Sequence, residues 1–347
     1  PFVTDAIRKR CENEVLGYTG KPDSYYNAII NWVKQRYDLI VTKEVINFVP
    51  GIVPGIGMAM NCFTQKGDKV MIQPPVYHPF AWVTTRNERT LVINPLKWEN
   101  GMYRMDLDAF REQIKGCKLF ILCNPHNPGG VVWTEAELRA IADICYDEKV
   151  LVFSDEIHAD LTLPPHTHRP FATVSEKARM NSVTFMSPSK AFNMPGLSAS
   201  HALIFNEDLR KRFRIYMDAG ELDMGHVFAF LSVEAAYSHG TEWLDQCLAY
   251  IQGNIDFVDE FLKKHAPKIK AIRPEASYLV WLDCRELELS QKDLNEFFVD
   301  KAHLALNDGE MFGKEGIGFM RLNVASPRCI IEKAMKQLAD AYQLYIK

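Results

Sequence analysis

A lysine at the end of a buried strand must be paired, lose its proton or do chemistry, because a bare ammonium is costly to desolvate. Lys190 follows a short apolar run, residues 182–185, with Ser187 and Ser189 just before it and Pro195-Gly196 behind it. A depressed pKa, polar neighbours and a rigid seat are what a Schiff-base lysine needs. Taken alone, the same residues also read as a surface-loop lysine beside a turn. Asp155 comes after another apolar run, residues 150–153. A carboxylate at the mouth of a buried strand calls for a cationic partner. Lys190 is one such partner, and a protonated ring nitrogen is another. His158 either reaches the same ligand or is a satisfied structural histidine. Arg321 alternates with apolar residues over 319–324. A strand arginine facing a cleft clamps a carboxylate through two parallel hydrogen bonds; facing solvent it is only an edge charge.

Three further stretches have weaker chemistry. Gly51-Ile52-Val53-Pro54-Gly55-Ile56-Gly57 joins a strand to a helix, and its backbone amides would suit a phosphate. It has neither Walker-loop nor dinucleotide spacing, and a plain tight turn is equally open. Tyr77, in Pro74-Pro75-Val76-Tyr77-His78-Pro79, sits just past a strand, where its ring stacks on a planar ligand or packs in the core. In Asn124-Pro125-His126-Asn127-Pro128-Gly129-Gly130 the asparagines either make turns or offer a fixed amide to a ligand oxygen.

These residues need elements to place them. Helical spacing over 3–15 and 24–37 predicts two N-terminal helices. Short apolar strands then alternate with helices: 45–49, 69–73, 90–93, 118–122, 150–153, 182–185 and 201–205. Thr134 and Glu137 form a capping box for one intervening helix. This alternation predicts a largely parallel sheet covered on both faces. Ligands bind such sheets at the carboxyl ends of the strands, where the residues above cluster. A long helix over 241–265 reads as a bridge, and strands 278–282 and 319–324 with helices 294–301 and 329–345 read as a smaller α+β domain. The fold expected is α/β, with a large domain over residues 1–241 and a small C-terminal domain over 242–347.

Composition agrees with a soluble enzyme: 347 residues, 47% hydrophobic, 24% charged and a net charge of -4. That charge, with a pI near 6.2, gives no reason to expect nucleic-acid binding. No run is apolar enough for a membrane span. The eight cysteines have no metal or CxxC spacing and read as reduced thiols of a cytoplasmic protein. His166 and His168 flank one threonine, without the partners a metal site needs. The chain begins at Pro1 without a methionine, so a natural N-terminal segment, with any targeting signal, is expected to precede it.

Four motifs occur in order: Asn127-Pro128-Gly129-Gly130, Ser154-Asp155-Glu156-Ile157-His158, Ser187-Pro188-Ser189-Lys190-Ala191-Phe192-Asn193 and Arg321-Leu322-Asn323-Val324. Together they resemble the class I/II aminotransferase-like, fold-type I pyridoxal phosphate (PLP) enzymes, across the whole chain. Val15-Leu16-Gly17-Tyr18-Thr19 and Pro74-Pro75-Val76-Tyr77 place the resemblance in the cystathionine β-lyase/C–S lyase, or cystalysin-like, subgroup. It implies PLP bound to Lys190, which also shuttles the Cα proton, Asp155 on the pyridine nitrogen, and Asn127 with His158 on the phenolic oxygen. It implies Tyr77 stacked on the ring, and the phosphate held by Ser187, the amides of Ile52 and Val53, and Tyr18 from a partner subunit of a homodimer. Arg321, with Asn127, would take the substrate carboxylate.

The implied reaction is α,β-elimination from a cystathionine- or cysteine-type amino acid, giving thiol, pyruvate and ammonia. An aminotransferase, or a PLP-binding protein with a regulatory partner, is the alternative. Ser198 stands eight residues after Lys190, where many relatives carry a phosphate-binding arginine; its loss favours the lyase subgroup. His78 follows Tyr77 where cystalysin-like sequences often have a second tyrosine, which leaves that tyrosine's role unassigned here.

Overall fold

The computed structural model describes residues 1–345; residues 346 and 347, the end of the expected small domain, lie outside the described residues. Two N-terminal helices, α1 (Phe2–Cys11) and α2 (Asp23–Tyr37), precede the first strand. α1 is shorter than its periodicity predicts: the Arg10 guanidinium donates to the carbonyls of Asn13 (2.8 Å) and Val15 (2.7 Å), in the chain leaving the helix.

Strand–helix alternation follows, with β1 (Ile46–Val49), α3 (Ile52–Phe63), β2 (Lys69–Ile72), α4 (Pro79–Arg86) and β3 (Thr90–Ile93). A hairpin of β4 (Lys97–Glu99) and β5 (Met102–Arg104) interrupts it. Its turn is Asn100-Gly101, both at positive φ, which is the strongest short hairpin signal in a sequence. Next come α5 (Leu107–Gln113), β6 (Cys117–Cys123), α6 (Glu135–Asp147), β7 (Leu151–Asp155), α7 (Glu176–Met180), β8 (Ser182–Met186) and β9 (Ser200–Leu203). The Thr134–Glu137 capping box is present at the start of α6.

The seven strands run β1-β9-β8-β7-β6-β2-β3 across one sheet. β3, β2, β6, β7 and β8 are parallel neighbours, whereas β9 is antiparallel to both β8 and β1. Two reversals leave β1 pointing the same way as β8. The carboxyl ends of β1, β2, β6, β7 and β8 therefore share one edge, which the amino end of β9 joins. Strands β7 to β9 are almost wholly buried, because helices cover both faces and no solvent side is left to carry polar residues.

α8 (Glu207–Ala219), α9 (Val227–His239) and the 25-residue α10 (Thr241–His265) lead to a second sheet. It is ordered β10-β11-β13-β12, from β10 (Lys270–Ile272), β11 (Leu279–Asp283), β12 (Asn307–Asp308) and β13 (Phe319–Asn323). α11 (Gln291–Glu296) and the final α12 (Arg328–Tyr345) complete the chain. Among the described residues no helix is long and apolar enough to cross a membrane, and no cysteine is in a disulfide.

Candidate active site

The shared edge of the large sheet and the face of the small one enclose a cavity of about 530 Å³. The β1–α3 turn supplies its anion-binding end. Gly51 (φ +118°) swings the chain into α3, whose first turn is Ile52, Val53 and Pro54. The first backbone bond of the helix is Gly55 N–H to Gly51 C=O, 2.9 Å. Pro54 has no N–H, so the amides of Ile52 and Val53 are the free donors there, at the positive end of the helix dipole. Both residues line the cavity.

Asp155 ends β7 and is buried. Its carboxylate accepts from Ile157 N–H (3.1 Å). Burial pushes its pKa up to about 7, helped by Glu156 and opposed by the Ile157 hydrogen bond and Lys190. Lys190 lies in the turn after β8, half-buried, with no ion pair among the described residues. Burial and then Arg321 lower its pKa, while Asp155 opposes them. The neutral amine that a nucleophile or proton acceptor needs is thus favoured. His158 is buried, and burial, Lys190 and Arg321 bring its pKa down to about 3. Its Nδ1 is buried without a partner, and a neutral imidazole stands at the cavity wall.

Arg321 projects from β13. Its Nη1 donates to Asn127 Oδ1 (2.9 Å) and its Nη2 to Asn307 Oδ1 (2.8 Å), while Nε is buried without a partner. Burial lowers its pKa to about 10. No carboxylate neutralises it among the described residues, so the guanidinium is oriented by neutral amides and open to an anionic ligand. Tyr77 stands at the cavity wall, its ring 5.7 Å from Phe80.

Within one chain, Ser187 and Tyr18 stand apart from the cavity. Ser187 does not line the cavity; Ser189 and Ser198 do. The Ser187 hydroxyl donates to the Ala199 carbonyl (2.8 Å) and accepts from Ser189 N–H (3.1 Å), so it ties the lysine turn to the β9 approach. Tyr18 is 96% exposed and lies away from the cavity, beside Met224 and His226; within one chain it does not join the site. His166 and His168 do not act together either. His168 Nε2 is 2.8 Å from Glu156, and His166 is 3.7 Å from Glu275. Tyr278, Asn307 and His78 also line the cavity. Asn307 lies in a two-residue strand, too short to carry a periodic signal.

A lysine biased towards neutrality, a buried carboxylate awaiting a cation, free helix-N-terminal amides and an unneutralised arginine define a site for an anionic, ring-bearing cofactor and an amino acid. The chain belongs to the class I and II aminotransferase family, whose model matches residues 4–338. It is similar to the cystathionine beta-lyase PatB of Bacillus subtilis (strain 168), at 37% identity over 98% of this chain and 88% of the relative. Two solved structures are similar throughout. Cystalysin from Treponema denticola, which contains a pyridoxal 5'-phosphate cofactor, has a TM-score of 0.97 at 34% identity, covering 100% of this chain and 88% of that one. A PLP-bound putative aminotransferase from Clostridium difficile 630 has a TM-score of 0.96 at 40% identity, covering 99% and 89%.

Proposed function

We propose that this protein is a PLP-dependent carbon–sulfur β-lyase, which cleaves cystathionine- or cysteine-type amino acids to a thiol, pyruvate and ammonia. The observation that carries the reading is Lys190, desolvated and without an ion pair, in one cavity with buried Asp155 and unneutralised Arg321. The similarity to a cystathionine β-lyase and to cystalysin supports the choice of reaction.

The residues fit PLP. The Ile52 and Val53 amides, with Ser189 and Ser198, would hold its phosphate. Asp155 would pair with the pyridine nitrogen, Tyr77 would stack on the ring, and Asn127 with His158 would face the phenolic oxygen. When bound, the cofactor supplies the electron sink for a negative charge at the substrate Cα.

The protein's part is binding, orientation and proton handling. Arg321 takes the substrate carboxylate through its guanidinium, oriented by Asn307 and Asn127. The Lys190 amine, once free, removes the Cα proton as general base. Expulsion of a thiolate from Cβ follows. Asp155 keeps a negative charge opposite the ring nitrogen, so that charge developing at Cα is stabilised throughout. Among the described residues, the cationic side chains that line the cavity are Lys190 and Arg321, and both have other tasks. We assign the remaining phosphate contact to Tyr18 of a second copy, in a homodimer with shared active sites. Free cysteines fit a reducing cytoplasm.

The test is pyruvate release from cystathionine by the holoenzyme without any keto acid. An obligatory requirement for a keto-acid acceptor overturns the reading in favour of an aminotransferase.

A further inference from the structure

A second concavity of about 470 Å³ opens beside the reaction cavity. One bank is Pro74, Val76 and the α4 residues Ala81 and Trp82; the other is Met311 and Phe312, from the loop between β12 and β13. We propose that this groove is the leaving-group subsite, and that it selects amino acids whose sulfur carries an apolar alkyl or aryl substituent over those with a charged far end. The inference rests on the lyase reading above and names the substrate class of that site.

Continuity with the cavity is the first argument. His78 lines both spaces. Phe312, in the groove wall, packs under the Arg321 guanidinium at 4.6 Å from its ring centroid. The residue that would hold the substrate carboxylate and the groove wall are thus in contact. On this proposal, a thioether chain leaving Cβ would pass His78 to reach the groove.

The second argument is that the groove is built and apolar. Val76 N–H donates to Phe312 C=O at 2.8 Å, which fastens the two banks. Gly313 holds φ +125°, and a Cβ there would meet Pro74 Cβ at 2.7 Å, so the banks approach closely only with glycine at this position. Despite this order, Trp82, Ile93 and Met311 remain 46%, 41% and 38% exposed. Large apolar side chains grouped in water mark a surface that something covers. The charged residues along the lining are Glu310, Lys314 and Glu315. The far end of cystathionine carries both an ammonium and a carboxylate, which would lose water against Trp82 and Met311; an apolar substituent does not carry that cost.

The test compares S-benzyl-cysteine, cystathionine and β-chloroalanine, whose chloride leaving group does not reach the groove. Pyruvate formation is measured with the wild-type holoenzyme and with Trp82→Gln and Met311→Gln. Calorimetry measures binding of benzyl methyl sulfide, which needs no turnover. The expected result is a higher kcat/KM for S-benzyl-cysteine than for cystathionine. The ratio of S-benzyl-cysteine to β-chloroalanine falls about tenfold in the variants, with a matching loss of sulfide affinity. An unchanged ratio in both variants, or a preference for cystathionine that disappears in Lys314→Gln, overturns the inference and leaves the lyase reading intact. Absence of pyruvate from all three substrates overturns the lyase reading. Sulfide binding then decides the groove by itself: it stands as an apolar ligand site if the variants lose that binding and falls if they keep it.

Discussion

Lys190 and Asp155 need each other's surroundings more than each other's charge. Neither sits in a close ion pair, and burial dominates both titrations. In Lys190→Ala we expect a folded protein that has lost the visible absorption of lysine-bound cofactor and all elimination activity; retention of that absorption would place the cofactor on another lysine. Asp155 also makes a prediction about the protein freed of cofactor. Its folded-state pKa of about 7 lies above the ordinary 3.8. Its contribution to stability is therefore full below pH ~4 and lost as pH rises through 7. Cofactor-free Asp155→Asn is expected to gain on the wild type between those limits and to be more stable at pH 8, by up to ~4 kcal/mol. The gain should vanish at acid pH, and denaturant titrations at pH 4 and pH 8 read the difference. An equal effect at both pH values would mean that the carboxylate is not desolvated.

At the scale of elements, the site depends on how a strand hands over to a helix. The turn from β1 into α3 works because Gly51 adopts a positive φ that an L-residue rarely takes. Gly51→Ala is expected to strain that turn by about 1–3 kcal/mol and tilt the Ile52 and Val53 amides. PLP affinity, measured by fluorescence titration of cofactor-free protein, should fall, with a smaller effect on the KM for amino acid at saturating cofactor. The reverse split would place the phosphate elsewhere. β13 acts similarly for Arg321: pairing with β12 at Asn307 brings the amide that orients the guanidinium.

At the scale of the molecule, a single chain leaves Tyr18 in solvent. A homodimer gives it a ligand if each Tyr18 reaches its partner's cavity. Lys190→Ala and Tyr18→Ala subunits, each inactive or nearly so, are expected to regain activity when mixed. In a mixed dimer one site carries both lesions and the other carries none, so random exchange restores about a quarter of the sites. No recovery after demonstrated subunit exchange would put Tyr18 in its own chain's function, or in none.

Much of this was legible in the sequence, for a local reason. Apolar runs such as 150–153 and 182–185 mark buried strands, and the polar residue ending each one must face the edge where ligands bind. That brought Asp155 and Lys190 forward as candidates, Arg321 came from its alternation with apolar residues over 319–324, and the order of the motifs along the chain carried the resemblance to the family. Even the missed β4–β5 hairpin was signalled by Asn100-Gly101. What local pattern does not encode is where a short side chain points, or which distant segment it meets. Ser187 and Ser189 are two residues apart and chemically identical, yet one bonds the Ala199 carbonyl and the other lines the cavity. Asn307 orients Arg321 only because two strands pair. The groove of Trp82 and Met311 arises where residues more than two hundred positions apart are fastened by one backbone hydrogen bond, Val76 to Phe312. The sequence by itself determined which groups are candidates for the chemistry, because burial along a strand is a local property and the motifs stand in family order. Only the tertiary structure decided which groups face the ligand and what space lies beside them, because those depend on contacts between segments that chain order does not bring together.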